Sequence, residues 1–179
     1  MQRKIAILRG INVGGKRKIL MSDLKAMFEA LEFSNVVTYI QSGNVIFDSK
    51  ESAHTKLAEQ IRGAIKNKFG FEVPVVIRTV KELKQATDSN PYYTSNSDIN
   101  KLHLTFLNES PSEENIKETE RYDYAPDLFT IKDKDVFIYC EGKYHQSKLS
   151  NAFFEKKLKV EATTRNWKTV LKLVALGGN

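Results

Sequence analysis

The chain has 179 residues, 41% of them apolar and 28% charged, with a net charge of +6 and a single cysteine. That is enough apolar material for one domain or two small ones; no segment approaches the ~20 apolar residues of a spanning helix and no intrachain disulfide is possible, which argues against a membrane-spanning protein and a disulfide-stapled scaffold. The charge is segregated: residues 1–22 hold Arg3, Lys4, Arg9, Lys16, Arg17 and Lys18 with no acid, residues 142–179 are also at +6, and the middle is therefore at −6.

Residues 4–9 (KIAILR) form a mostly apolar run, the mark of a central strand. A helix follows in which Leu24, Met27, Phe28 and Leu31 recur on one face. Val36 to Gln41 and Val45 to Phe47 are β-rich runs around Ser42-Gly43-Asn44, where Gly and Asn tolerate the positive φ of a tight hairpin. A helix is predicted from about Ala53 to Phe69, with Leu57, Ile61, Ala64 and Ile65 facing inward. Val73 to Val80 closes the unit as a strand, and Pro74 argues for an edge position. The order is βαββαβ, the ferredoxin-like pattern.

The second half repeats the order. A helix near Lys81 to Thr87 and a polar, disordered-looking linker (SNPYYTSNSDIN) lead to a strand at Leu102 to Leu107. Ser110, Pro111 and Glu113 suit an N-cap, a first-turn proline and a capping-box acid, which predicts a helix start there. A hairpin spans Phe129 to Lys132 and Val136 to Cys140. A helix near Ser150 to Leu158, a short strand at Val160 to Thr163 and a final helix from Asn166 to Leu176 follow, with Gly177-Gly178 as the stop. The expectation is an α+β chain of two tandem ferredoxin-like subdomains packed on each other: residues 1–80, a helix and linker over 81–100, and residues 101–179.

Gly10 to Lys16 fits the first half of a phosphate-binding loop and follows a strand. Arg17 then stands where a Mg²⁺-binding Ser or Thr belongs, and the helix begins only near Ser22, which argues against nucleotide hydrolysis. What remains is a cationic Gly-rich loop able to form an anion nest, or simply a flexible, solvated connection. Ser42 lacks a nucleophile-elbow frame and is better explained by hairpin chemistry. His54, His103 and His145 have no partner at metal-ligand spacing, and His145 is the best acid/base candidate because it lies in the basic region. Cys140, in an alternating apolar strand, reads as a buried structural thiol. Thr164, Arg165 and Asn166 precede a periodic helix, where they either hold a phosphate or carboxylate or act as plain caps beside a core Trp167. The first strand carries no base-stacking aromatics, so an RNA-recognition motif does not fit.

The phrases RGINVGGK, MSDLKAMFEALEF, YIQSGNVIF, KLSN and TTRNWKTVLKL together resemble the bacterial family called domain of unknown function 1697. The resemblance carries over Arg9, Asn12, Gly14, Gly15 and Lys16, then Gln41, Ser42, Gly43 and Asn44, then Ser150 and Asn151, then Thr163 to Trp167. It implies a two-subdomain α+β fold similar to duplicated ferredoxin-like units, and it implies no activity.

If the chain ends meet, as ends often do, the two basic segments merge into one positive surface. The leading expectation is a cytoplasmic protein that binds a phosphate-bearing ligand, nucleic acid or a nucleotide-like molecule, with no membrane partner, cofactor or metal. Lys16, Arg17 and Arg165 are assigned to phosphate, and Asn12, Asn44 and Asn151 to directional hydrogen bonds. Arg9, Gly14, Gly15, Gln41, Ser42, Ser150, Thr164 and Asn166 complete the candidate set. An enzyme acting on a small anion in a cleft between the subdomains is the first alternative, with no nameable catalytic residue. A protein-interaction module, in which Arg9 and Asn12 hold loops together, is the second.

Overall fold

The computed structural model describes residues 1–178. They form two compact units: Met1–Leu83 with the segment from Leu173 onward, and Lys84–Lys172.

The first unit contains β1 (Gln2–Leu8), α1 (Met21–Ala30), β2 (Ser34–Tyr39), β3 (Asn44–Ser49), α2 (His54–Phe69), β4 (Val75–Thr79) and the start of α3 (Val80–Ser89). The sheet is antiparallel in the order β2-β3-β1-β4, the ferredoxin-like arrangement. Because β1 pairs on both sides and is buried from Lys4 to Leu8, its sequence is an unbroken apolar run rather than an alternation. Ala6 and Leu8 share a core with Leu24, Met27 and Phe28 of α1 and Leu57, Ile61 and Ile65 of α2. Phe47 is fully buried there, with ring centroids 5.3 Å from Phe28 and 4.5 Å from Phe33. Strand β4 lies at the sheet edge, and Pro74 falls just ahead of it rather than within it.

The second unit contains β5 (Leu102–Leu107), α4 (Glu113–Thr119), β6 (Leu128–Lys132), β7 (Asp135–Tyr139), α5 (Asn151–Leu158), β8 (Ala162–Asn166) and most of α6 (Trp167–Gly177). Its order, β6-β7-β5-β8, repeats that of the first sheet. The registers match as well. Ile5 pairs with Arg78 and Lys4 with Thr79; Leu104 pairs with Arg165 and His103 with Asn166. Thr79 and Asn166 then do the same work, their side chains accepting from the N–H of Glu82 (3.1 Å) and Thr169 (2.9 Å) to cap the helix that follows.

Four expectations are corrected in the second half. The helix after β5 is capped by Ser112, whose Oγ accepts from Asn115 N–H at 3.2 Å, because the Ser110 hydroxyl is engaged by the Asp133 carboxylate. The linker is a series of hydrogen-bonded turns: Tyr92 N–H donates to Asn90 Oδ1 (2.9 Å), and the Ser97 hydroxyl donates to the Tyr92 carbonyl (2.7 Å). Strand β8 runs on through Thr164, Arg165 and Asn166, paired with β5 along its whole length, so Thr164 and Arg165 are strand residues and α6 begins at Trp167. Gly177 is the last helical residue rather than a residue beyond the helix.

Candidate functional site

Between β1 and α1 the chain makes a compact loop rather than a phosphate loop feeding a helix. Arg9 is half-buried, and its N–H donates to the Pro74 carbonyl at 3.0 Å. Asn12 (φ +55) sits at the neck, where its Oδ1 accepts from Ile19 N–H (2.9 Å). Its Nδ2 donates to the carbonyls of Ile19 (2.9 Å) and Gln41 (3.0 Å). The side chain thus imitates a strand toward Ile19 and ties the loop to the β2–β3 hairpin. Above it, Asn12 N–H donates to the Arg17 carbonyl and Lys16 N–H to that of Val13, both at 3.1 Å, which turns Gly14, Gly15, Lys16, Arg17 and Lys18 outward. Gly14 (φ +58) and Gly15 (φ +74) supply the backbone this turn needs.

The hairpin is docked under that loop. Leu8 N–H donates to the Gly43 carbonyl at 2.8 Å, and Gly43 (φ +86) lies so close to β1 that a Cβ there would fall 2.7 Å from Ile11 Cδ1 and 2.9 Å from Leu8 Cβ. Asn44 is fully buried, its Nδ2 donating to the Tyr39 carbonyl (3.0 Å) and Ser42 Oγ (3.2 Å), so both residues hold the turn. The second left-handed residue of this hairpin is not Asn44 but Ile40, at φ +49 and 45% exposed. A β-branched residue there is strained without gaining burial.

Loop, hairpin and the ends of α1 and α2 enclose an open cleft of about 460 Å³. It brings together Asn12, Gly15 and Gln41 from the expected set, and adds Lys18, Leu20, Met21, Asp23 and Phe69. Lys16 and Arg17 stand exposed on the adjoining loop. Among the described residues the side chains of Lys16, Arg17, Lys18 and Asp23 make no ion pair or hydrogen bond, so Lys18 and Asp23 share a cleft without pairing. Leu20 occupies the N-cap of α1 and offers no side-chain cap. The Lys68 Nζ donates to the Asp23 carbonyl at 3.4 Å and lies 5.7 Å from the Phe69 ring centroid. Asp23 was visible as the first acid after 22 residues without one, whereas nothing in the sequence tied Phe69 to this loop.

In the second unit, Thr164 Oγ1 joins a polar knot: it donates to Asn151 Oδ1 (2.7 Å), accepts from Tyr144 OH (3.0 Å) and lies 2.7 Å from Thr105 Oγ1. Ser150 caps α5, its Oγ accepting from Phe153 N–H at 3.2 Å. His103 stacks on Tyr144 with ring centroids 4.5 Å apart, and burial lowers its pKa from the ordinary imidazole value. Arg165 is buried, its pKa pushed down to about 10 by desolvation, and its NH1 donates to the Thr164 carbonyl at 3.0 Å. His145 is exposed on a 3₁₀ turn, Tyr144–Gln146. Cys140 is buried as expected, and burial raises its pKa.

No helix among the described residues is long and apolar enough to cross a membrane. No protein with a curated description matches the chain. A solved structure of a conserved bacterial protein from Streptococcus pneumoniae is similar over 98% of each chain, with a TM-score of 0.74 and 24% identity, which supports the fold alone. A family described as protein of unknown function (DUF1697) matches residues 1–137, across the loop, the hairpin, the cleft and most of the second sheet. The RGINVGGK and YIQSGNVIF phrases that build the cleft are therefore those of a member, and the chain belongs to the DUF1697 family.

Proposed function

We propose that the first unit binds a phosphate-bearing ligand at the cleft between the 9–20 loop and the β2–β3 hairpin. The observation that carries this reading is Lys18 on the wall of an open cleft of about 460 Å³, with Lys16 and Arg17 exposed on the adjoining loop and, among the described residues, no ion pair made by any of the three. Such a group sets up a local positive potential, and the volume lies within the ~300–1,000 Å³ of small-molecule sites. The first-turn N–H groups of α1, left without a side-chain cap at Leu20, add to the same field. Lys18 and the Gly15 backbone contact phosphate in this reading, Lys16 and Arg17 attract it, and Gln41 adds a directional hydrogen bond. Asn12 acts by holding the loop in place. Buried Arg165 and the Thr164–Asn151 knot of the second unit are left as structural groups.

The test is equilibrium binding of a nucleotide panel and of fluorescent single-stranded RNA and DNA pools at two salt concentrations, with a Lys16→Ala/Arg17→Ala/Lys18→Ala variant beside the natural chain. Saturable binding that the variant loses supports the reading. Three phosphate contacts on a single strand would give a log–log salt slope of about −2, which separates a polymer from a mononucleotide. No binding at either salt rejects the proposal. The exposed apolar side chains of Val13 (64%), Leu20 (70%) and strained Ile40 favour a protein partner as the second reading. It gains support if Leu20→Ser and Ile40→Ser abolish a partner complex while the cations are intact.

A further inference from the structure

We infer that the ligand of this cleft is a mononucleotide carrying a free ribose, held at phosphate, sugar and base by separate walls; this rests on the proposal above. The pointer is Asp23. Asp23 is an exposed residue in the first turn of α1 and lines the cleft beside Lys18; a carboxylate there repels a bare phosphate, so a ligand that fits must also present hydrogen-bond donors to it. A ribose with both hydroxyls free donates two hydrogen bonds to one carboxylate, the use made of an acidic residue in many dinucleotide sites. Lys18 and Asp23 line one cleft yet do not neutralise each other, so the cation is left for the phosphate and the carboxylate for the sugar. The apolar wall of Leu20, Met21 and half-buried Phe69 offers a thioether and a ring to a flat base.

Two competitors fit less well. A zwitterionic amino acid would balance Lys18 and Asp23, but it leaves the positive excess of Lys16 and Arg17 unanswered, whereas a phosphate monoester answers it. A nucleic-acid strand has its 3′ oxygen esterified, so it offers Asp23 one hydroxyl at most and brings a second phosphate toward the carboxylate.

The experiment is calorimetric titration of the full chain and of Asp23→Asn with the four common ribonucleoside 5′-monophosphates, their 2′,3′-dideoxy counterparts, inorganic phosphate and leucine. Thermal melts establish that the variant is folded. At least one ribonucleotide should bind about tenfold more tightly than its dideoxy counterpart and than inorganic phosphate, the size expected for hydrogen bonds to a charged group. In Asp23→Asn the ribose preference should fall toward one while inorganic phosphate binds equally or more tightly, because the repulsion is gone. A merely structural Asp23 would weaken all phosphates together, and that result overturns the inference. Equal binding of ribo and dideoxy forms, or of inorganic phosphate and nucleotide, overturns it and leaves the phosphate site standing. Failure of every phosphate compound, or binding of leucine alone, removes both.

Discussion

Gly43 is the position where the geometry makes the sharpest demand. Gly43→Ala places a side chain at φ +86, a left-handed conformation that costs an L residue about 1–2 kcal/mol. The new Cβ also meets Ile11 Cδ1 at 2.7 Å and Leu8 Cβ at 2.9 Å. The first contact can be relieved by swinging the end of Ile11, but Leu8 Cβ moves only with the backbone of β1, so overpacking adds about 1–3 kcal/mol. The expected loss is about 2–5 kcal/mol. Gly14 is the control, since its φ is +58 but nothing lies within 4 Å of its Cβ, so Gly14→Ala should lose only the conformational part. The sole tryptophan, Trp167, lies in the second unit, so the first must be followed by far-UV circular dichroism in urea and by hydrogen exchange at the Leu8 amide, which donates to the Gly43 carbonyl. Gly43→Ala should lower the urea midpoint and speed exchange at Leu8. Equal losses from the two substitutions would refute the packing argument.

Three further predictions concern two buried titratable groups, Lys4 and His103. Lys4 is 1% exposed; burial lowers its pKa, and Glu82 and Glu51 offset this in part. Glu82 Oε2 accepts from Thr79 N–H and Oγ1 in either background, so Glu82→Gln should lower the urea midpoint more in the natural chain than in Lys4→Met, where no ammonium is left to offset; equal losses in both would show the two are uncoupled. Because the folded-state pKa of Lys4 lies below 10.5, the unfolded chain holds that proton more firmly, and stability should rise with pH on the approach to 10.5 in the natural chain more than in Lys4→Met. For His103 the folded pKa lies below 6.5, so its contribution is intact above that value and is lost as pH falls from 6.5 through the folded pKa. Trp167 fluorescence melts between pH 8 and 5 should therefore show a shallower decline in His103→Gln, and an unchanged slope would mean that His103 takes up no extra proton on unfolding.

The fold was legible because its signals are local or periodic. The run in β1 and the stripes on α1 and α2 follow directly from which side chains are buried. The site was less legible because residue type does not say where a hydrogen bond goes. Asn12 looked like a ligand-binding amide, yet its three hydrogen bonds all stay within the chain. Sequence pattern points to a helix start at Thr164 and Arg165 because the pairing with β5 that extends β8 is a long-range fact. The same holds for the correspondence of Lys4 with His103, which lies in register rather than in residue type, and of Arg78 with Arg165, a shared arginine whose equivalence only the two registers reveal.

Ile40 makes selection for durability and selection for use pull apart. A residue in the left-handed region with nearly half its surface in water is a place where Gly or Asn would relax the backbone at little loss of packing. A variant library sorted by heat resistance should therefore drift away from isoleucine at this position. A library sorted by retention of a binding partner on the same rim should keep it, so the two sorted pools read side by side would reveal whether that side chain is a relic of the hairpin or one of its tools.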